Sequence, residues 1–258
     1  MLGAITGDMA GSRFEGHRDI DYNFMFLNTE SHFTDDTVLT VAVAEALLLD
    51  APYGEKLKEF ARAYPNAGYG DKFLDWAMSD QQEAYGSKGN GSAMRVSPVG
   101  WFFQDLNEVL DNAETSSAVT HNHPDGIAGA AATAAAVYMA RTGRSKDEIT
   151  NFVSGRMGYR LDFDLEQARL MGSSVLAPNS VPQAITAFLY SKDFESAVRN
   201  AVSIGGDTDT LAAIAGAIAE AFYGGVPEHV ASEVYTRLDD RLALVVRRFQ
   251  NHITEKVT

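Results

Sequence analysis

The residues best able to do chemistry sit in two short segments, Phe33-Thr34-Asp35-Asp36-Thr37 and Gly205-Gly206-Asp207-Thr208-Asp209-Thr210. Each places carboxylates and a Thr hydroxyl within a few residues, directly before a strongly apolar run. Thr34, Asp35 and Asp36 with Asp207, Asp209 and Thr210 offer four carboxylates and two hydroxyls. Hard cations such as Mg2+ and Mn2+ prefer such oxygens. The set is close to what two octahedral ions need once water completes their shells. Two ions so held would polarise a substrate, orient it and lower the pKa of a water molecule. Thr and Asp also cap helices, satisfying free N–H groups and the helix dipole, and one such segment alone would read as a cap. Two of them, in a chain whose other helices read as lacking acidic starts, point beyond capping. The Gly205-Gly206 pair suggests backbone in close approach to another group.

Three further segments read as loops with chemistry. Gly7 to Gly16 carries Asp8, Arg13 and Glu15. Tyr85 to Arg95 contains the run Gly86-Ser87-Lys88-Gly89-Asn90-Gly91, which could turn N–H groups toward a phosphate. It lacks the GxxxxGK[ST] pattern and follows no clear strand, so neither a P-loop nor a dinucleotide fingerprint fits. Thr120-His121-Asn122-His123-Pro124-Asp125 holds two His, but no third nitrogen or sulfur stands at zinc-site spacing. A His that bonds a ligand or caps a helix suits it better.

The elements that must position these residues read as helices. Val38 to Leu49 is apolar on nearly every side, as in a buried helix. Leu57, Phe60, Ala61 and Tyr64 follow helical spacing within Glu55 to Tyr64. Gly126 to Arg141 and Leu211 to Tyr223 are Ala-rich and stop near Gly143 and Gly224. Glu228 to Phe249 reads as one or two amphipathic helices after Pro227. Period-2 alternation between turn signals is missing. The expectation is an all-α fold, an orthogonal multi-helix globule, with residues 1–258 forming a single domain without linker or repeat.

Composition narrows the function. A net charge of −14, from 35 acidic and 21 basic side chains, disfavours an extended nucleic-acid surface. It leaves room for a small phosphorylated ligand neutralised by cations. The chain has no cysteine, which removes disulfides and thiolate chemistry and suits a cytoplasmic protein. Leu211 to Ala219, the longest apolar stretch, is far short of the roughly 20 residues needed to cross a bilayer, so no membrane partner is expected. With no heptad run or apolar edge, a monomer is expected.

GDMAGSRFE, FTDDT, GSKGNGSAMR, a TH pair before an Ala-rich helix, and GGDTDT follow one another from Gly3 to about Gly224. In that order they resemble the ADP-ribosylglycohydrolase family, which includes dinitrogenase-reductase-activating glycohydrolases and mammalian ADP-ribosyl-acceptor hydrolases. The resemblance implies an orthogonal all-α fold and a centre of two divalent cations, Mg2+ or Mn2+. By motif position Thr34, Asp35, Asp36, Asp207, Asp209 and Thr210 would be ligands, with Asp35 and Asp36 part of the catalytic centre. Glu15 matches the family's acidic residue near the scissile bond. Gly86, Ser87, Gly89, Asn90 and Gly91 match the loop that cradles the ADP-ribose diphosphate. His121 matches a His near the ribose, and Asp8 and Arg95 read as supports. Lys88 stands where relatives vary, either at a phosphate or in place of an adenine-side contact.

The implied reaction is metal-dependent hydrolysis of the bond between ADP-ribose and an acceptor. The substrate would be an ADP-ribosylated protein or another ADP-ribosyl conjugate. Glu15 would act on water or on the leaving group as general base or acid. A metal-dependent phosphoesterase acting on ADP-ribose derivatives could use the same carboxylates. A non-enzymatic ADP-ribose-binding relative is the third reading, but such a relative is expected to have lost ligands.

Overall fold

A computed structural model describes residues 1–172 and 174–255. Among the described residues there are fifteen α-helices, one short 3-10 helix and no strand; Gly89 and Leu176 form an isolated antiparallel bridge. The helix starts explain themselves locally. Thr34, Asp105, Ser145, Asp164 and Asp193 each accept a first-turn N–H on a side-chain oxygen. Several ends are equally plain, with left-handed Gly158 and Gly224 closing the helices before them.

The helix Thr208–Tyr223 runs through the centre, and every residue from Thr208 to Ala221 is buried. Around it pack Leu2–Gly11, Phe194–Val202, Ala177–Leu189 and Pro124–Arg141. Its Ala and Gly residues let these axes come close. Burying Leu211, Ile214 and Ile218 completely supplies roughly 1.5–3 kcal/mol each.

The closest packing is against Leu2–Gly11, whose ten residues are all buried. Gly3, Gly7 and Gly11 recur every fourth residue and lie along the contact. A Cβ on Gly7 would stand 1.9 Å from the Ala212 carbonyl oxygen, and one on Gly11 would stand 2.4 Å from that of Thr208. Only hydrogen fits there. Glu220 fixes the register, accepting the Leu2 and Gly3 N–H groups at 3.2 and 2.8 Å.

The expected helices are present with shifted ends: Asp35–Leu49, Tyr53–Ala63, Pro124–Arg141, Thr208–Tyr223, then two, Glu228–Arg237 and Asp240–Glu255. Two loop readings are corrected. The segment from Gly7 to Gly16 is not all loop: Gly7 to Gly11 complete the first helix, and Ser12–Phe14 form the 3-10 turn. The segment from Tyr85 to Arg95 ends in a short helix, Gly91–Arg95. No described helix is long and apolar enough to cross a membrane.

Candidate metal centre and ligand cleft

Helix ends deliver the two acidic segments to one place. Asp8, fully buried on the first helix, organises the first of them. It accepts the Thr34 N–H at 2.9 Å, the Thr34 hydroxyl at 2.8 Å, the Thr37 N–H at 3.1 Å and the Thr37 hydroxyl. Thr34 caps the helix Asp35–Leu49 by accepting the Asp36 N–H at 3.3 Å. The capping work thus falls to Thr34, which leaves the Asp35 and Asp36 carboxylates for another purpose. Asp207 precedes the central helix but makes no side-chain cap bond. The paired glycines before it have φ of +80° each and are laced to the Glu15 segment. Gly16 N–H donates to Gly206 O at 2.7 Å, and Gly206 N–H donates to His17 O at 2.8 Å. The close approach suggested by these glycines is therefore to His17, and it places Glu15 beside Asp207.

The two segments meet where the Thr210 hydroxyl donates to Asp36 Oδ2 at 3.2 Å. One oxygen each from Glu15, Asp207 and Asp209 lie within 4.8 Å of one another. A cleft of about 550 Å3 opens over this cluster, lined by Glu15, Thr34, Asp35, Asp36, Asp207, Asp209 and Thr210 together with Ser87, Gly89, Asn90, Gly91 and His121. Of the expected site residues only Gly86 stays off its wall; it makes the turn before Ser87 with φ +69°. Lys88 is also off the wall and exposed, and its carbonyl accepts the Ala177 N–H at 3.0 Å.

Electrostatically the cleft is an anion cage. Burial first, then Asp8, Asp207 and Glu15, push the Asp35 carboxyl up to about 7. Burial, then Asp209, Asp8 and Asp35, hold Asp36 well above the usual carboxylate range. Burial, then Asp207, Asp8 and Glu15, do the same to Asp209. Glu15 is raised by burial and by Asp207, although it stands exposed at the mouth. None of these carboxylates forms an ion pair among the described residues. Asp36 Oδ1 is buried without a partner. So many unpaired carboxylates in one buried place are costly unless a cation joins them. The donor set, all oxygen, fits Mg2+ or Mn2+.

The glycine-rich loop is less free than its composition suggests. The Ser87, Gly89 and Asn90 N–H groups donate to Thr120 O, Ser87 Oγ and Val175 O at 3.2, 3.1 and 2.9 Å. The Asn90 amide nitrogen is committed as well, to Asp207 Oδ2 at 2.6 Å and Ser180 Oγ at 3.1 Å. Asn90 therefore ties the loop to the carboxylate cluster. Gly91 and Ser92 open a short helix, where first-turn N–H groups lack intrahelical partners. His123 caps the helix Pro124–Arg141, accepting the Asp125 N–H at 3.1 Å, while His121 lines the cleft.

Two sequence arguments need correction. Acidic starts are not confined to the two segments; Glu55, Asp71, Glu108, Asp125, Asp147, Glu195 and Asp240 also stand in first turns. Burial is what sets the site apart, with Asp36 and Asp209 only 2% and 5% exposed. Nothing in the sequence singles out Asn66, Gly68, Lys72 and Val175 as cleft residues. His32, which also lines the cleft, was missed as well, although its place immediately before Phe33-Thr34 could have pointed to it.

A many-helixed globule with an oxygen-rich acidic cleft beside a glycine loop defines a class, and the comparisons place the chain in it. The ADP-ribosylglycohydrolase family model matches residues 1–256, and the chain belongs to that family. It is similar to human ADP-ribosylhydrolase ARH3, 28% identical over an alignment 313 positions long, gaps included, covering 88% of this chain and 86% of that one. An uncharacterized protein of Archaeoglobus fulgidus is 31% identical over 223 residues, covering 76% and 73%. Among solved structures, an ADP-ribosylglycohydrolase-related protein complex superposes with a TM-score of 0.71 at 23% identity, covering 96% of each chain.

Proposed function

We propose that the chain is a single-domain hydrolase that releases ADP-ribose by cleaving its glycosidic bond to an acceptor, with divalent cations held in the acidic cleft. The observation that carries this reading is the convergence of Thr34–Asp36 and Asp207–Thr210, joined by the Thr210–Asp36 hydrogen bond, under the glycine loop. Two cations, Mg2+ or Mn2+, would be held by Thr34, Asp35, Asp36, Asp207, Asp209 and Thr210. When bound, they supply positive charge that polarises substrate oxygens.

The chain's own groups do the rest. The loop Ser87 to Gly91 and His121 bind the ADP-ribosyl group and turn its distal ribose toward the acids. Glu15, at the mouth and within reach of Asp207 and Asp209, moves the proton at the scissile bond as general acid or base. Burial and Asp207 raise its pKa, the direction that suits a carboxyl that must hold a proton as well as give one up.

The test is release of ADP-ribose from arginine-linked and serine-linked ADP-ribosyl peptides with Mg2+, with Mn2+ and with EDTA. Cation-dependent ADP-ribose from either peptide supports the assignment and identifies the linkage. AMP as product would move the activity to diphosphate cleavage. Tight ADP-ribose binding without turnover of either peptide would overturn the hydrolase reading for protein conjugates of these two kinds.

A further inference from the structure

Arg95 is the largest fully buried side chain, 1% exposed, on the wall of the cleft. No carboxylate lies at ion-pair distance among the described residues, and its Nε and Nη1 are buried without partners. The Phe73 ring lies beside it, its centroid 6.0 Å away. A buried guanidinium without a counter-ion is expensive, so what it does touch matters. Nη2 donates to the Thr120 hydroxyl oxygen at 2.8 Å and, more weakly, to Ser116 O at 3.5 Å. That hydroxyl lies 2.7 Å from His121 Nδ1; the Tyr85 phenol is its other neighbour.

Proton bookkeeping along this row favours one arrangement. Guanidinium only donates, so the Thr120 oxygen accepts from Arg95. The hydroxyl has one proton to give, and beside a cation it is a strengthened donor. Giving it to Nδ1 satisfies both atoms. The opposite arrangement, with a proton on Nδ1, would turn the hydroxyl proton away to the Tyr85 phenol and set a second donor against an oxygen already facing a positive charge. Burial, then Arg95, also keep His121 well below the ordinary histidine range, so the ring is neutral. The one ring proton is then on Nε2. That atom faces the glycine loop, where a Cβ on Gly91 would lie 3.2 Å away and one on Gly89 3.6 Å away. Glycine at both positions keeps it open to the cleft.

We propose that Arg95 and Thr120 are positioning residues that fix His121 as a neutral imidazole with its proton on Nε2, a standing hydrogen-bond donor to an oxygen of the ADP-ribosyl group. This rests on the ADP-ribose reading of the cleft. It separates the duties of two titratable residues: Glu15 exchanges a proton, and His121 only donates a hydrogen bond.

The test is a long-range 1H–15N spectrum of the histidine rings in the 15N-labelled full chain, the His121 signals identified by their loss in His121→Gln. The expected result is a protonated Nε2 and a bare Nδ1. Thr120→Val keeps the shape and removes the donor. It should move the proton toward Nδ1 and weaken ADP-ribose binding about tenfold, the scale of one well-placed hydrogen bond. Thr120→Ser should restore both. A wild-type chain with the proton on Nδ1, or a Thr120→Val chain with an unchanged tautomer, would overturn the proposal. A protonated Nε2 in a chain that fails to bind ADP-ribose would instead overturn the ligand assignment and leave the row of contacts standing.

Discussion

Asp36 is where the two halves of the site touch, and its two oxygens have different fates. Oδ2 accepts the Thr210 hydroxyl and Oδ1 has no partner. Asp36→Asn removes a buried carboxyl that without a cation must either keep its proton or add to the crowded charge, so in EDTA the variant should melt no lower than the parent chain. The same change should abolish the rise in melting temperature that Mg2+ or Mn2+ gives, as read by differential scanning fluorimetry. Glu15→Gln should act on turnover instead: kcat lower by at least about a hundredfold, with ADP-ribose affinity within a few-fold of the parent. If Glu15→Gln turns over at the parent rate, the proton-moving role is wrong. Thr34, Asp35, Asp36, Asp207, Asp209 and Thr210 were legible because residue type and spacing encode donor chemistry. The four bonds that converge on Asp8 were not, because they depend on how the first helix docks. Asn90 shows the same limit: its motif suggested a ligand contact, and its amide nitrogen is bonded to Asp207 and Ser180.

At the scale of elements, the contact between Leu2–Gly11 and Thr208–Tyr223 sets the spacing between Asp8 and the Asp209 segment. Gly7→Ala would drive a methyl group into the Ala212 carbonyl. Neither backbone can yield without moving a wall of the site. The expected cost is at least about 3 kcal/mol, at the upper end for overpacking, measured by urea unfolding, with loss of cation-induced stabilisation in whatever remains folded. A variant with parent stability would show that the helices part easily. The Leu2–Gly11 helix escaped the sequence reading for a physical reason. It is buried on every side, so it has no amphipathic stripe, and its glycines resemble loop punctuation until their four-residue spacing is noticed. Val38 to Leu49 and Leu211 to Tyr223 were easier, because long apolar runs with a capping segment before them leave few alternatives.

For the whole molecule, the acidic cleft ties stability to pH and to cations. Asp8, Asp35, Asp36, Asp207 and Asp209 all have raised pKa values in the folded chain. The folded state therefore holds protons that the unfolded state has released, and the slope of stability against pH is negative in that window. In EDTA the protein should lose stability as pH rises from about 4 through about 7, where Asp35 titrates. Cations compete with those protons, so Mg2+ or Mn2+ should stabilise more at pH 8 than at pH 5. At a hundredfold excess over Kd the gain is about 2.7 kcal/mol, or roughly 5–10 °C in Tm. Calorimetry at the two pH values checks the sign. A chain that grows steadily more stable toward pH 8 in EDTA would contradict the anion cage. The net charge of −14 gave no hint of this, since a formal count does not reveal which acids are buried together.

The pairing of the first helix with the central one also fixes when the site can exist during synthesis. Thr208 and Gly11 are joined by a hydrogen bond across 197 residues of chain. At about 5–20 residues per second, a ribosome needs roughly 10–40 s to cover that distance. Throughout that interval a ten-residue helix with no polar face waits without its partner. Half of the acid cluster waits with it. The cation site is therefore a late product of folding: a nascent chain halted before residue 207 can carry Asp35 and Asp36 but cannot complete the cage.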